Sequence, residues 1–110
     1  MALTREYRET VVERIKNDRK FTAALYAEAI AALIDGEKAE SFSILRDLVH
    51  AHISFKALAE QTGFDEKALH RMLGAKGNPT TDNLVLLLHT IGEDLNLTAH
   101  IEARRSQSVA

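Results

Sequence analysis

The sequence predicts an all-α protein that carries a short β-strand near its C-terminal end. Apolar residues recur at helical spacing over most of the 110 residues, and only five glycines and one proline are present to interrupt helices. After Gly92 the apolar period changes to two, which is typical of a strand. We therefore expect a helical part up to Gly92 and an extended part over residues 93–110.

Residues 1–52 are expected to form three helices that are joined by short connections and pack on the rest of the chain. The first is amphipathic and is interrupted at Asn17 and Asp18. The second is the alanine-rich stretch Phe21–Ile34, which Gly36 ends in the left-handed conformation. The third runs from about Lys38 to His50.

Residues 53–92 are expected to form three further helices, which make up a core motif. Each begins at a polar residue and ends at a glycine, as caps require: residues 55–62 between Ser54 and Gly63, residues 66–73 between Asp65 and Gly74, and residues 81–91 between Thr81 and Gly92. Residues 75–80 form the loop before the last of them.

The C-terminal part, residues 93–110, is predicted to form a strand followed by a frayed tail. Leu95, Leu97, Ala99 and Ile101 alternate with polar residues. A single strand is not stable by itself. The segment is therefore expected either to pair with a second subunit or to lie over the helices as an extended tail.

Composition excludes several classes of protein. The chain has no cysteine, which excludes disulfides and thiolate zinc sites and fits a reducing compartment. The longest unbroken apolar run, Ala29–Ile34, is six residues, too short for a membrane span, so we expect a soluble cytoplasmic protein. No nucleophile elbow, phosphate-binding glycine loop or metal triad occurs, so we expect no enzyme activity, no cofactor and no bound metal.

The stretch from Phe55 to Gly74 has the spacing of a helix-turn-helix. The close crossing of the two helices requires a small residue in the first, which is Ala59, and a positive φ four residues later, which Gly63 supplies. Apolar residues stand where the corner and the core side of the second helix require them: Leu58, Phe64, Leu69 and Met72.

The residues after this motif resemble a known family. Gly77, Asn78 and Pro79, followed by Asp82, Asn83 and Leu84, resemble the loop and fourth helix of Xre/Cro-type repressor domains, which have a lambda-repressor-like core. More closely, His52–Ile91 resembles the addiction module antidote proteins, the antitoxins of two-gene toxin–antitoxin loci. The segment Phe21–Val49 is similar to them too. The resemblance implies binding to operator DNA and neutralisation of a small toxin of the RelE/ParE kind.

The second helix of the motif is the expected recognition helix, since its N-terminal half meets base edges in the major groove. Its candidate base contacts are Glu66, Lys67, His70 and Arg71. Arginine donates two hydrogen bonds to guanine and glutamate can accept from cytosine. Candidate phosphate contacts are the backbone N–H groups of Phe55 and Lys56 and the side chains of Lys56, Lys76 and Asn78.

Two alternatives to an operator-binding antitoxin remain open. The adjacent acids Asp65 and Glu66 oppose phosphate, and the net charge of −2 provides no large basic face, which favours a protein-interaction module. The objection weakens if the carboxylate of Asp65 is occupied as a helix cap. A plain transcriptional regulator without a toxin is the other alternative. For DNA binding we expect a homodimer that reads two half-sites, with the C-terminal strand as its interface.

Overall fold

The structure is a computed structural model that describes residues 5–106, and it contains six α-helices and no β-strand in that range. The helices are α1 (Arg5–Asn17), α2 (Arg19–Ile34), α3 (Lys38–His52), α4 (Phe55–Thr62), α5 (Glu66–Met72) and α6 (Thr81–Leu95). The all-α prediction is confirmed, and the predicted C-terminal strand is wrong.

The first three helices pack on one another. Asp18, which we expected only to interrupt the helices, caps α2, because its carboxylate accepts a hydrogen bond from the backbone N–H of Phe21 at 3.0 Å. Helix α3 packs against both α1 and α2. It contributes four fully or almost fully buried apolar side chains to the core: Phe42, Leu45, Leu48 and Val49.

Polar contacts join the end of α1 to the start of α2 and to the end of α3. The Thr22 hydroxyl donates to the carbonyl of Ile15 at 2.8 Å, and Nε2 of His52 lies 2.9 Å from the same carbonyl. The contact ties the last residue of α3 to the end of α1. It accounts for the continuation of α3 two residues beyond the predicted end at His50.

One hydrophobic core joins all six helices. Ile15, Leu45, Leu58, Leu69 and Ile91, from five different helices, are each 0% exposed, and Ala29 of α2 belongs to the same cluster. Burial of each large aliphatic side chain contributes about 1.5–3 kcal/mol to stability. Helices α4 and α5 are therefore held on the scaffold that α1–α3 and α6 provide. None of the described helices is long and apolar enough to cross a membrane.

Helix α6 continues past Gly92, which we predicted to end it. Gly92 is buried inside the helix against Tyr26 of α2, and a Cβ at Gly92 would lie 2.6 Å from the Tyr26 hydroxyl oxygen. That hydroxyl donates to the carbonyl of Leu88 at 3.2 Å. The glycine therefore allows a close approach of two helices, and Asn96, with a φ of 57°, provides the left-handed end instead.

The segment after α6 is extended but unpaired. Leu95 belongs to α6, and Leu97 packs against the core while its N–H donates to the carbonyl of Gly92 at 2.9 Å. No backbone–backbone hydrogen bond joins residues 98–105 to the rest of the described chain, so the period of two does not produce a strand. Residues 97–102 and residues of α2 border a cavity of about 550 Å³.

Candidate nucleic-acid interface

The turn between α4 and α5 has the geometry that a helix-turn-helix requires. Ser54 caps α4 by accepting from the N–H of Ala57 at 3.0 Å. Gly63 has a φ of +83° and its N–H donates to the carbonyl of Ala59 at 2.9 Å. The positive φ predicted for Gly63 is confirmed. The predicted apolar set also packs as expected, with Leu58 and Leu69 fully buried and Phe64 and Met72 partly buried against them.

One face of α5 is exposed and polar. Its exposed residues are the four predicted base contacts, Glu66, Lys67, His70 and Arg71. Their spacing places them on two adjacent rows of the helix, opposite the buried Leu69. Among the described residues no ion pair involves Glu66, Lys67 or Arg71, so their charges are available to a ligand.

The N-terminal end of α5 is acidic. Asp65 occupies the capping position, but its side chain accepts no cap hydrogen bond, contrary to our expectation. Its ψ of 139° is the ordinary extended value for a cap, so the backbone is suitable and only the side-chain hydrogen bond is missing. The exposed carboxylates of Asp65 and Glu66 therefore both stand at the end of the helix that would enter a groove.

Phe55 lies between two histidine rings. Its side chain is 4% exposed, and the ring of His70 stacks on it with centroids 4.0 Å apart and planes 17° apart. The ring of His50, in the last turn of α3, contacts Phe55 with centroids 4.9 Å apart. The stack places the ring of His70 against Phe55, the first residue of α4, whose backbone N–H is one of the predicted phosphate contacts.

The start of α4 offers free donors. Within residues 5–106 no hydrogen bond uses the backbone N–H of Phe55 or Lys56, and the side chain of Lys56 is exposed. Such N–H groups at a helix start are donors for an anion. The predicted phosphate contacts Lys76 and Asn78 are exposed on the loop after α5.

That loop is held against the end of α5 by Gly77. A Cβ at Gly77 would lie 2.0 Å from the carbonyl oxygen of Met72, closer than any side chain can approach. The N–H of Gly77 donates to the carbonyl of Gly74 at 2.9 Å. The helix that we predicted over residues 66–73, with Gly74 as its end, stops one residue earlier, and Leu73 rather than Gly74 occupies the C-terminal capping position.

Sequence reasoning missed Arg46 of α3 as part of this site. Its guanidinium Nη1 donates a hydrogen bond to the carbonyl of Leu73, the residue that ends α5. Burial lowers the pKa of Arg46, and the nearby charge of Arg8 acts in the same direction. No sequence signal pointed to this contact, because Arg46 and Leu73 are 27 positions apart and lie on helices with separate apolar patterns.

Asp47 connects the same region to α1. Arg8 Nη1 lies 2.6 Å from a carboxylate oxygen of Asp47, and Nη2 of Arg8 donates to the Ser43 hydroxyl at 3.1 Å. Burial raises the pKa of Asp47, while the charges of Arg8 and Arg46 oppose the increase. The three charged groups therefore form one partly buried cluster, of which Arg46 contacts the C-terminal end of α5.

The described residues contain no group of histidine, aspartate and glutamate side chains that could hold a metal ion. Comparison with known proteins finds no family model, no curated protein and no solved structure that matches the chain.

Proposed function

We propose that this protein binds operator DNA with α5 in the major groove. The observation that carries the proposal is the turn at Gly63, which joins a capped α4 to an α5 whose exposed face is entirely polar. A purely structural helix pair does not require an unpaired arginine and lysine on its outer face. In this arrangement Arg71 and Lys67 contact base edges, and the start of α4 contacts a phosphate.

The proposed biological role is that of antitoxin and autorepressor in a toxin–antitoxin module. It rests on the resemblance of His52–Ile91 to addiction module antidote proteins, and the Gly77-Asn78-Pro79 loop carries most of that resemblance. The partner is then a small RelE/ParE-type toxin. Co-expression with the product of the adjacent short reading frame tests the role: a stable complex and restored growth support it, and independent elution of the two proteins contradicts it.

We further propose that the protein acts as a homodimer. With one recognition helix of seven residues, a monomer makes few base contacts, and two half-sites supply the affinity. The described structure leaves an apolar surface on α6, where Val85 is 60% and Leu86 38% exposed. Sedimentation of the parent protein and of Leu86→Glu checks this, and a parent that sediments as a monomer at all concentrations contradicts it.

A protein-interaction module is the second candidate function, and one specific observation favours it. The carboxylate of Asp65 is not occupied by a cap hydrogen bond, so two acids face outward at the start of α5. Opposing this, acids near a helix start are stabilised by the helix dipole, and Glu66 can accept from cytosine. Titration with DNA separates the two functions.

Two alanine variants test the proposed DNA contacts on an operator obtained by binding-site selection from random duplexes. Arg71→Ala is expected to cost about 1–3 kcal/mol of binding free energy and to relax the preference at one base pair, since Arg71 reads a base. Lys76→Ala is expected to weaken all sequences alike and to reduce the salt slope by about one. Band-shift titrations at several salt concentrations measure both effects.

Lys38→Ala is the matched control. Lys38 is exposed at the start of α3, at the opposite end of that helix from His50, whose ring contacts Phe55 at the proposed site. The variant should bind like the parent protein. Equal, sequence-independent losses for Arg71→Ala and Lys76→Ala would make Arg71 a backbone contact. Failure of the parent protein to select any duplex sequence would contradict DNA recognition and support the interaction module.

A further inference from the structure

We propose that Arg46 is a positioning residue that sets the orientation of the recognition helix α5 from the scaffold. The inference rests on the proposed function and goes beyond it, because Arg46 itself need not touch DNA. Its hydrogen bond to Leu73 is the one side-chain hydrogen bond, among the described residues, that joins α3 to the end of α5.

Besides Arg46, helix α5 is restrained near its C-terminal end by the stack of His70 on Phe55 of α4 and by the hydrogen bond that Asn83 Nδ2 of α6 donates to Met72 Sδ at 3.8 Å. Neither of these contacts joins α5 to α3.

Helix α5 is seven residues long and packs chiefly on α4, to which the Gly63 turn connects it. Its start is fixed by that turn, and its capping carboxylate makes no bond to the helix. A rotation about the turn displaces the C-terminal end of the helix most. The Arg46 contact acts at that end, where it restrains such a rotation most effectively.

The contact also satisfies a carbonyl at the C-terminal end of α5, where the helix dipole is negative. A cation is favourable there, and a planar guanidinium on a half-buried stem has little freedom to move. Leu73 itself is fully buried, so its carbonyl has a fixed position relative to the core. The bond therefore relates the direction of α5 to the core and to α3.

Helix α1 supports Arg46 through Asp47. The carboxylate of Asp47 is paired with Arg8 at 2.6 Å and also interacts with the charge of Arg46. Loss of Arg8 leaves Asp47 free to turn toward Arg46 and to compete with the Leu73 carbonyl for the guanidinium. The ion pair between α1 and α3 thus contributes to the position of the recognition helix.

The test compares the affinity for the selected operator with the affinity for scrambled duplex, at a temperature where circular dichroism shows every variant to be folded. Arg46→Ala is expected to lower this ratio about tenfold, which is a typical size for coupling between sites. Arg46→Lys retains a cationic donor and should recover most of the ratio. Arg8→Ala should lower the ratio less than Arg46→Ala does. Should Arg46→Ala not fold, Arg46→Gln replaces it.

Ser41→Ala is the matched control for a loss of stability alone. The Ser41 hydroxyl donates to the carbonyl of Ala29 at 2.7 Å, a buried contact between α3 and α2 that does not involve α5. The variant should lower the melting temperature and leave the ratio unchanged. If the parent protein discriminates between the two duplexes, either of two results overturns the proposal. One is an unchanged ratio for Arg46→Ala, which equal losses on both duplexes would give. The other is a ratio that Arg46→Lys does not recover. A parent protein without discrimination contradicts the proposed function itself.

Discussion

At the scale of single residues, Gly63 and Gly77 show two different reasons for a glycine in the same motif. A Cβ at Gly63 would have no atom within 4 Å, so only the φ of +83° excludes other residues there. At Gly77 the backbone is not left-handed, and the carbonyl of Met72 occupies the volume of a Cβ. The first glycine allows the turn between α4 and α5, and the second allows the loop to close on α5.

The Gly63→Val variant should lose about 1–3 kcal/mol of unfolding free energy, because a β-branched residue is strained at positive φ. Denaturant unfolding followed by circular dichroism measures the loss. Gly63→Asn is the control, since asparagine tolerates the left-handed region, and it should lose much less. Equal losses for both variants would show that space rather than backbone conformation limits this position.

The recognition-helix residues could be selected from the sequence, but their surroundings could not. Helical spacing alone predicts that Glu66, Lys67, His70 and Arg71 share an outer face, and all four are exposed. That His70 stacks on Phe55 depends on how α5 crosses α4. The side-chain direction at Asp65 depends on a rotamer. Neither property has a signal in local sequence pattern.

At the scale of helices, local caps and apolar periods are sufficient to find all six, and long-range contacts account for the errors. Ser54 and Gly63 bound α4 as predicted, because both act within one turn of the helix. Local pattern predicts a helix end at Gly92, but the role of this glycine depends on Tyr26, which lies far away in the sequence on α2. The predicted strand depends on a period of two that begins at Leu95, which belongs to α6.

The contact between α2 and α6 can be measured with a double-mutant cycle. Gly92→Ala places a methyl group 2.6 Å from the Tyr26 hydroxyl oxygen. It should lower the free energy of unfolding by about 1–3 kcal/mol, the usual range for overpacking. Tyr26→Phe loses the bond to Leu88 but removes the clashing oxygen. The double variant should therefore lose less than the sum of the single variants, as denaturant unfolding would report. Additive losses would mean that the methyl group meets other atoms.

At the scale of the whole molecule, the helical core ends at Leu97, the last residue that packs against it. A chain that stops after Leu97 retains the core, and its melting temperature should remain close to that of the parent protein. A chain that stops after Gly92 also lacks Leu95, which is 8% exposed. Its free energy of unfolding should fall by about 2–5 kcal/mol, as for removal of other buried leucines. Thermal melts of both chains provide the check. A large loss on the shorter deletion would mean that residues 98–110 hold part of the fold.

The Tyr26 hydroxyl also gives the molecule a built-in optical reporter. The chain has no tryptophan and two tyrosines, of which Tyr26 is 7% and Tyr7 54% exposed. Burial raises the pKa of the Tyr26 phenol, so its phenolate should form at a higher pH than an ordinary tyrosine. Because the unfolded chain ionises first, stability should fall as the pH rises above about 10, the ordinary tyrosine value. Ultraviolet absorbance during an alkaline titration measures tyrosinate formation. It would therefore report, without any added label, the pH at which the Tyr26 phenol ionises as α2 and α6 separate.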